Sequence, residues 1–376
     1  MATPVTQAAP LIRSERQRKL QQLTFTPNVI LTRDLPRDTV LKHLQVRLSG
    51  SVVTTFGSGT PVADAFATLD NLVSRIDVVI NGSRTIKNVK PFMMHMQQLY
   101  TTLIRGERAA SAGAAAATDN YPTADAGFPY GTTTQITTVR ETVLVSFENV
   151  YARNGKESTW LNLKGVASAE VRLTCAAFSS LLGFGNTAPV VYSSSTFVID
   201  LLTIEAQDVP ADMIFQDWKQ TTKQILVSAQ ATNLPIDINR GNRLQAIMML
   251  TRDGAAGTST TATGKLANSL VVTNFNLMIN GQTSIKAGDF KALQAENRAR
   301  YGLNAPFASN VSILDGVAYL DLLSDDGRGD LNTALPLQPP LVDQAQLFVD
   351  TNSGSNVSYT NPVSIELQTE ELVAYV

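Results

Sequence analysis

The chain has 376 residues and a formal net charge of −2, with 16% charged side chains against 44% hydrophobic ones. Ordinary soluble domains carry about 25% charged residues. A surface this poor in charge suits a body that hides its exterior against neighbours, and the lack of any basic stripe excludes a sequence-specific nucleic-acid reader. One cysteine, Cys175, rules out an internal disulfide scaffold, and no apolar run approaches the roughly 20 residues that cross a bilayer.

The first 26 residues differ from the rest. Arg13, Arg16, Arg18 and Lys19 against Glu15 make a basic stretch interleaved with Leu11, Ile12, Leu20 and Leu23. This pattern predicts a short amphipathic helix over residues 10–23, either packed against subunits or facing an anionic surface such as membrane headgroups or genome. Val29-Ile30-Leu31 reads as the first strand, and His43 falls in another. Ile76, Val78 and Ile80 then alternate with polar or outward positions, a half-buried strand that ends at Asn81-Gly82, a hairpin turn tolerant of positive φ. Pro91 opens a helix with Phe92, Met96, Leu99 and Leu103 on one stripe, and His95 within it. Gly106–Gly131, rich in Ala, Gly, Thr and Pro, reads as a long loop outside the core. Strands follow at Val171–Cys175 and Thr196–Glu205, then a connector over 209–224 with Pro210, Phe215 and Trp218.

Beyond that connector the sequence repeats itself. Ile80-Asn81-Gly82 recurs as Ile279-Asn280-Gly281, and Leu35-Pro36-Arg37-Asp38 as Leu234-Pro235-Ile236-Asp237, both at an offset of 199 (279 − 80 and 234 − 35). Phe275, Leu277 and Ile279 repeat the alternation, and Asp289 is placed to cap a second helix carrying Phe290, Leu293 and Tyr301. Later matches come at smaller offsets. Leu161 aligns with Leu335 and Leu173 with Leu347 at 174, and Ile199-Asp200-Leu201-x-Thr203-x-Glu205 with Ile365-Glu366-Leu367-x-Thr369-x-Glu371 at 166. In the last strand of the second copy, Ser364, Glu366, Gln368 and Glu370 read as a polar outer face. The matching Val198, Asp200, Leu202 and Ile204 are mostly apolar, so something is expected to cover that face of the first copy.

Each copy thus offers many short strands and one helix after an internal hairpin. The expected fold is all-β: two tandem eight-stranded antiparallel jelly rolls. The expected division is a basic arm at 1–26, jelly roll one at 27–208, the connector, and jelly roll two at 225–376.

Catalytic signatures are missing. His43 and His95 have no partner at metal-ligand or catalytic spacing, which excludes a pair of His-lined barrels, and there is neither a Walker motif nor a Gly-x-Ser-x-Gly elbow. Asp325, Asp326 and Asp330 crowd one polar turn and are candidate ligands for a hard cation, without full EF-hand spacing. No cofactor is implied. Arg328-Gly329-Asp330 matches a tripeptide of integrin ligands, and a carboxylate pair for glycan hydrolysis is not singled out.

Tandem sandwiches, a helix after the hairpin in each, a basic N-terminal arm and no catalytic kit resemble a double jelly-roll major capsid protein. The likeness is to the lineage of tailless icosahedral bacteriophages with an internal membrane, whose fold is shared with adenovirus hexon. The resemblance implies a structural protein, not an enzyme. It implies a homotrimer of pseudo-hexameric outline in the virion, assembled in the host cytoplasm. Its partners would be neighbouring capsomers, vertex (penton) and minor capsid proteins and an internal membrane, with Arg13, Arg16, Arg18 and Lys19 facing the interior. A two-sandwich hydrolase acting on glycans, or a receptor-binding adhesin, are the alternative readings of the same architecture.

Overall fold

The computed structural model describes residues 15–56, 72–99, 135–149, 155–177, 190–194, 197–254, 268–301, 316–323, 334–355 and 357–374. The first half contains β1 (Glu15–Lys19), β2 (Leu23–Thr24), β3 (Ile30–Asp34), β4 (Val40–Phe56), β5 (Val73–Ile80) and β6 (Arg84–Val89). Helix α1 (Pro91–Leu99) follows, then β7 (Gln135–Ser146), β8 (Leu161–Asn162), β9 (Ala169–Cys175), β10 (Val190–Ser194) and β11 (Val198–Ala206). The second half contains β12 (Gln216–Val227), β13 (Leu234–Asp237), β14 (Arg243–Arg252), β15 (Val272–Ile279) and β16 (Thr283–Asp289). Helix α2 (Phe290–Tyr301) is followed by β17 (Val317–Asp321), β18 (Leu335–Pro336), β19 (Ala345–Thr351) and β20 (Val363–Ala374).

The second half is a jelly roll. Its sheets run β12-β20-β14-β17 and β13-β19-β15-β16, so the chain passes from one sheet to the other at nearly every connection. The first half has the same plan: β1 with β2, β11, β4 and β7 face β3-β9-β5-β6. Each sandwich closes on its own apolar core. One core runs from Leu23 to Leu201, the other from Val227 to Leu367. Period-2 alternation produces both: β9 and β19 bury every second residue, from Ala169 to Cys175 and from Ala345 to Thr351.

The two hairpin turns match in detail. Asn81 and Asn280 have φ of 51° and 54°, followed by Gly82 and Gly281 at 73° and 64°. The Asn81 side-chain oxygen accepts from the Ala167 and Ser168 amides, and that of Asn280 from the Asp343 and Gln344 amides. A bulge follows in each, skipping Ile86 and Ile285. Asp289 caps α2 as expected, its Oδ1 accepting from the Ala292 amide at 2.9 Å.

Four sequence expectations are corrected. Residues 15–19 form a strand on the edge of β11, not part of a helix, because the backbone ladder supplied by β11 outweighs the helix propensity of Glu, Arg, Gln and Lys. The strand β12 begins at Gln216, inside the expected connector, so Trp218 belongs to the second sandwich. Leu35-Pro36 is not the counterpart of Leu234-Pro235. The Leu35 amide bonds Ala169 O where Ile238 bonds Ala345 O, an offset of 203 (238 − 35). Finally, Ile80 pairs Ala169 and Ile279 pairs Ala345, so Leu173 corresponds to Val349 rather than Leu347. A slip of two residues keeps every side chain on its face, so alternation alone could not detect it.

Candidate functional site

The described residues bring no group of three or more His, Cys, Asp or Glu side chains together at metal-binding distance. Chemistry concentrates instead at the seam between the two sandwiches. There β6 of the first pairs in parallel with β12 of the second, Gln220 opposite Lys87 and Thr221 opposite Asn88, which fuses two sheets into one of nine strands.

Lys87 is completely buried at this junction. Its ammonium donates to Gln220 Oε1 at 2.7 Å and lies over the Trp218 ring at 4.1 Å and the Phe147 ring at 5.6 Å. Burial lowers its pKa well below the usual lysine value, opposed by Glu370 and Asp217. Glu370 is also completely buried, and burial pushes its carboxyl up to about 8, against the Lys87 charge and the Gln368 and Gln220 amides. Gln97 of α1 donates to Glu370 at 3.2 Å. Around this pair, Lys90 meets Glu366 at 3.0 Å, Arg84 meets Asp217, and Arg252 lies 5.1 Å over Phe92. Asn149 Nδ2 donates to Gln245 Oε1 at 2.6 Å, tying the end of β7 to the bulge of β14.

This overturns the reading of Ser364, Glu366, Gln368 and Glu370 as an outer face: all four are buried, with Glu366 on Lys90 and Glu370 on Gln97 of the first half. Their polarity is a property of the seam, invisible in a strand read alone. The counterpart face of the first sandwich, Val198, Asp200 and Leu202, stays half-exposed.

The two sandwiches also share an inner motif. In the first, Thr203 Oγ1 donates to Glu205 Oε1 at 2.8 Å; in the second, Thr369 Oγ1 donates to Glu371 Oε1 at 3.1 Å. Both glutamates sit beside a matching bulge, opposite Leu41 and Leu244. The sequence pattern Thr-x-Glu carried this signal.

Of the arm cations, Arg13 lies outside the described residues, as do Asp325, Asp326 and Asp330 and the 106–131 loop. Arg16 approaches Glu205 at 3.9 Å, and Arg18 Nε lies 3.1 Å from the buried Glu205 carboxylate. Arg18 also grips Asp38 with two hydrogen bonds, at 3.2 and 3.1 Å, and these hold Asp38 below the ordinary carboxylate range. Lys19 meets Asp200 at 2.9 Å. His43 lies in β4 as expected, its Nδ1 3.0 Å from Ser146 Oγ. Burial lowers its pKa to about 4, so it is neutral at physiological pH. His95 lies in α1.

No family model matches the chain, and no curated protein matches it in sequence. Solved structures do match in fold. The major capsid protein of Sulfolobus Turreted Icosahedral Virus aligns at a TM-score of 0.62 and 16% identity over 96% of this chain and 97% of that one. PBCV-1 VP54 gives 0.59 and 10% with full coverage of both chains. The major capsid protein of bacteriophage PM2 gives 0.53 and 11% over 96% and 98%. The chain therefore has the double jelly-roll fold of these viral major capsid proteins.

Proposed function

We propose that this chain, with its double jelly-roll fold, is the major capsid protein of an icosahedral virus. The observation that carries the reading is the duplication itself. Two jelly rolls joined strand to strand, matching down to their turns and bulges, form two near-equivalent wedges. Three chains of two wedges make a six-cornered ring, the unit that tiles a hexagonal lattice. The fold likeness to major capsid proteins spans at least 96% of this chain and supports the same reading.

In this reading the protein is a homotrimer in the virion shell, assembled in the host cytoplasm. It contacts neighbouring capsomers, vertex (penton) proteins and minor capsid proteins. Arg16, Arg18 and Lys19 are engaged by Glu205, Asp38 and Asp200, which supports packing rather than lipid contact for that part of the arm. We assign contact with an internal membrane to the segment before Glu15, whose basic side chain is Arg13.

Light scattering on the purified protein tests the proposal: the mass should be three times the 40.5 kDa chain, and electron micrographs should show six-cornered particles. A monomer that resists assembly at high concentration and cleaves a glycan substrate would replace it with the hydrolase reading.

A further inference from the structure

The intrachain seam uses one edge of each sandwich: β6 of the first and β12 of the second. The repeat identifies the counterparts of these strands. In β11 and β20, Ile204 and Glu370 are equivalent, and their partners are Gln17 of β1 and Gln220 of β12. In β5 and β15, Val78 and Leu277 are equivalent, and their partners are Lys87 of β6 and Lys286 of β16. So β1 stands to the first sandwich as β12 to the second, and β16 to the second as β6 to the first.

Both counterpart edges are open. Among the described residues β1 pairs only with β11, and β16 only with β15. Their side chains are largely exposed, including Ile285 at 37%. A row of unpaired backbone N–H and C=O groups is a template for another strand. The faces beside the edges follow the same division. Helix α1 meets the second sandwich through Gln97 on Glu370 and Phe92 under Arg252, with Phe92 and Gln97 buried, whereas α2 leaves Lys291, Ala292, Ala295 and Ala299 exposed. Val198 and Leu202 are half-exposed where Ser364 and Gln368 are covered. One chain therefore carries both halves of a second seam and cannot join them to each other.

We propose that β16 of a second copy adds in parallel to β1 of the first, with Gln17 opposite Lys286 and Arg18 opposite Ala287. The exposed face of α2 of that copy then covers Val198 and Leu202. The contact is head-to-tail, so each copy gives one edge and receives one, and a ring results when the rotation closes. Closure at three rests on the capsomer reading above; the register does not.

The test is a full-length Gln17→Cys/Lys286→Cys double variant, oxidised and run on a non-reducing gel, with Arg18→Cys/Ala287→Cys as a second pair. Native Cys175 is buried and its thiol is pushed up to about 11, so it stays out of the reaction. Strands about 4.8 Å apart place the paired Cα atoms within disulfide reach. A pair shifted by two residues, Gln17→Cys/Ser284→Cys, lies about 8 Å apart and is out of reach. Either matched pair should give a covalent ladder that ends at three chains, and the shifted pair should not. A trimer by light scattering with no cross-link from either matched pair, or with a stronger one from the shifted pair, overturns the register and leaves the capsid reading standing. Protein that never leaves the monomer overturns both.

Discussion

Glu370→Gln is the most direct probe of the buried seam. Glutamine keeps the oxygen that accepts from Gln97 and fills the same space, while removing one titrating group. The Glu370 pKa is raised from 4.5 to about 8, so between these values the folded protein holds a proton that the unfolded chain has released. The stability this group contributes is therefore fully present below about pH 4.5 and is lost as pH rises towards 8. At about 1.4 kcal/mol per pH unit, that span sets a ceiling of about 5 kcal/mol. Local relaxation around the buried carboxyl reduces this, so about 2–3 kcal/mol is the working figure. Lys87, with its lowered pKa, acts in the opposite direction: the stability it contributes is lost as pH falls from its unfolded value. The two slopes offset each other in the wild type, so the informative quantity is the difference between variant and wild-type melting temperatures. At about 2 °C per kcal/mol for a chain of this size, the variant should gain about 5 °C on the wild type between pH 5 and pH 9. Calorimetry across that range reads it directly. A difference that stays constant within 1 °C, or grows as pH falls, would mean that Glu370 is ionised in the seam and the reasoning is wrong.

Other consequences are simpler to check. Asn81→Ala and Asn280→Ala should each cost about 1–2 kcal/mol in urea unfolding, since each loses two amide hydrogen bonds and a residue that tolerates positive φ. Unequal losses would show that the turns are not equivalent. Gly254→Ala should destabilise by more than about 2 kcal/mol, because its Cβ would strike the backbone oxygen of Asn361; a soluble variant with wild-type melting refutes this. Leu202→Glu should abolish trimers while leaving the melting temperature of the single chain within about 2 °C, as size exclusion and calorimetry together would show. Cys175 should resist iodoacetamide at pH 8 and react fully in denaturant; rapid labelling of native protein would place it outside the core.

Particular residues show how much of this molecule was legible in sequence. The Asn-Gly turns were readable because a tight hairpin demands positive φ at one place, and the demand leaves a chemical trace. The match of Leu35-Pro36 to Leu234-Pro235 had no such constraint behind it, and it aligned a residue outside β3 with one inside β13. The Glu-Arg-Gln-Arg-Lys stretch of β1 holds no apolar residue. The helix inferred there borrowed its stripe from Leu11, Ile12, Leu20 and Leu23, across what is a strand edge. Strand identity in β1 comes from β11, which lies about 190 residues away (204 − 17), and no window of local sequence contains that partner. The seam was hidden for the same reason. Glu366, Gln368 and Glu370 look like solvent-facing residues until the second half is set against the first.

The contrast between the intrachain seam and the one proposed between copies has a physical logic. Burying Lys87 and Glu370 carries a desolvation cost that a well-packed apolar contact would avoid, so the polar seam is poorly explained as a source of stability. It is better explained as a restriction on which wedge faces which. Lys87 finds Gln220, Trp218 and Glu370 only where the second sandwich presents β12 and β20. Docked on the counterpart face of the first sandwich, the same lysine would meet Leu202 and Ile204 and lose its partners. The face of α2, with Lys291, Ala292 and Ala295 outward, offers Glu370 no counterpart of Gln97 if it meets β20. Each mismatch leaves a buried polar group without its partner, at a few kcal/mol a site. A chain made of two similar wedges needs such a distinction, since similarity alone would let either wedge occupy either position. In the proposed ring, the duplicated fold would supply the near-equivalence of the wedges, and the unequal seams would keep the two kinds alternating.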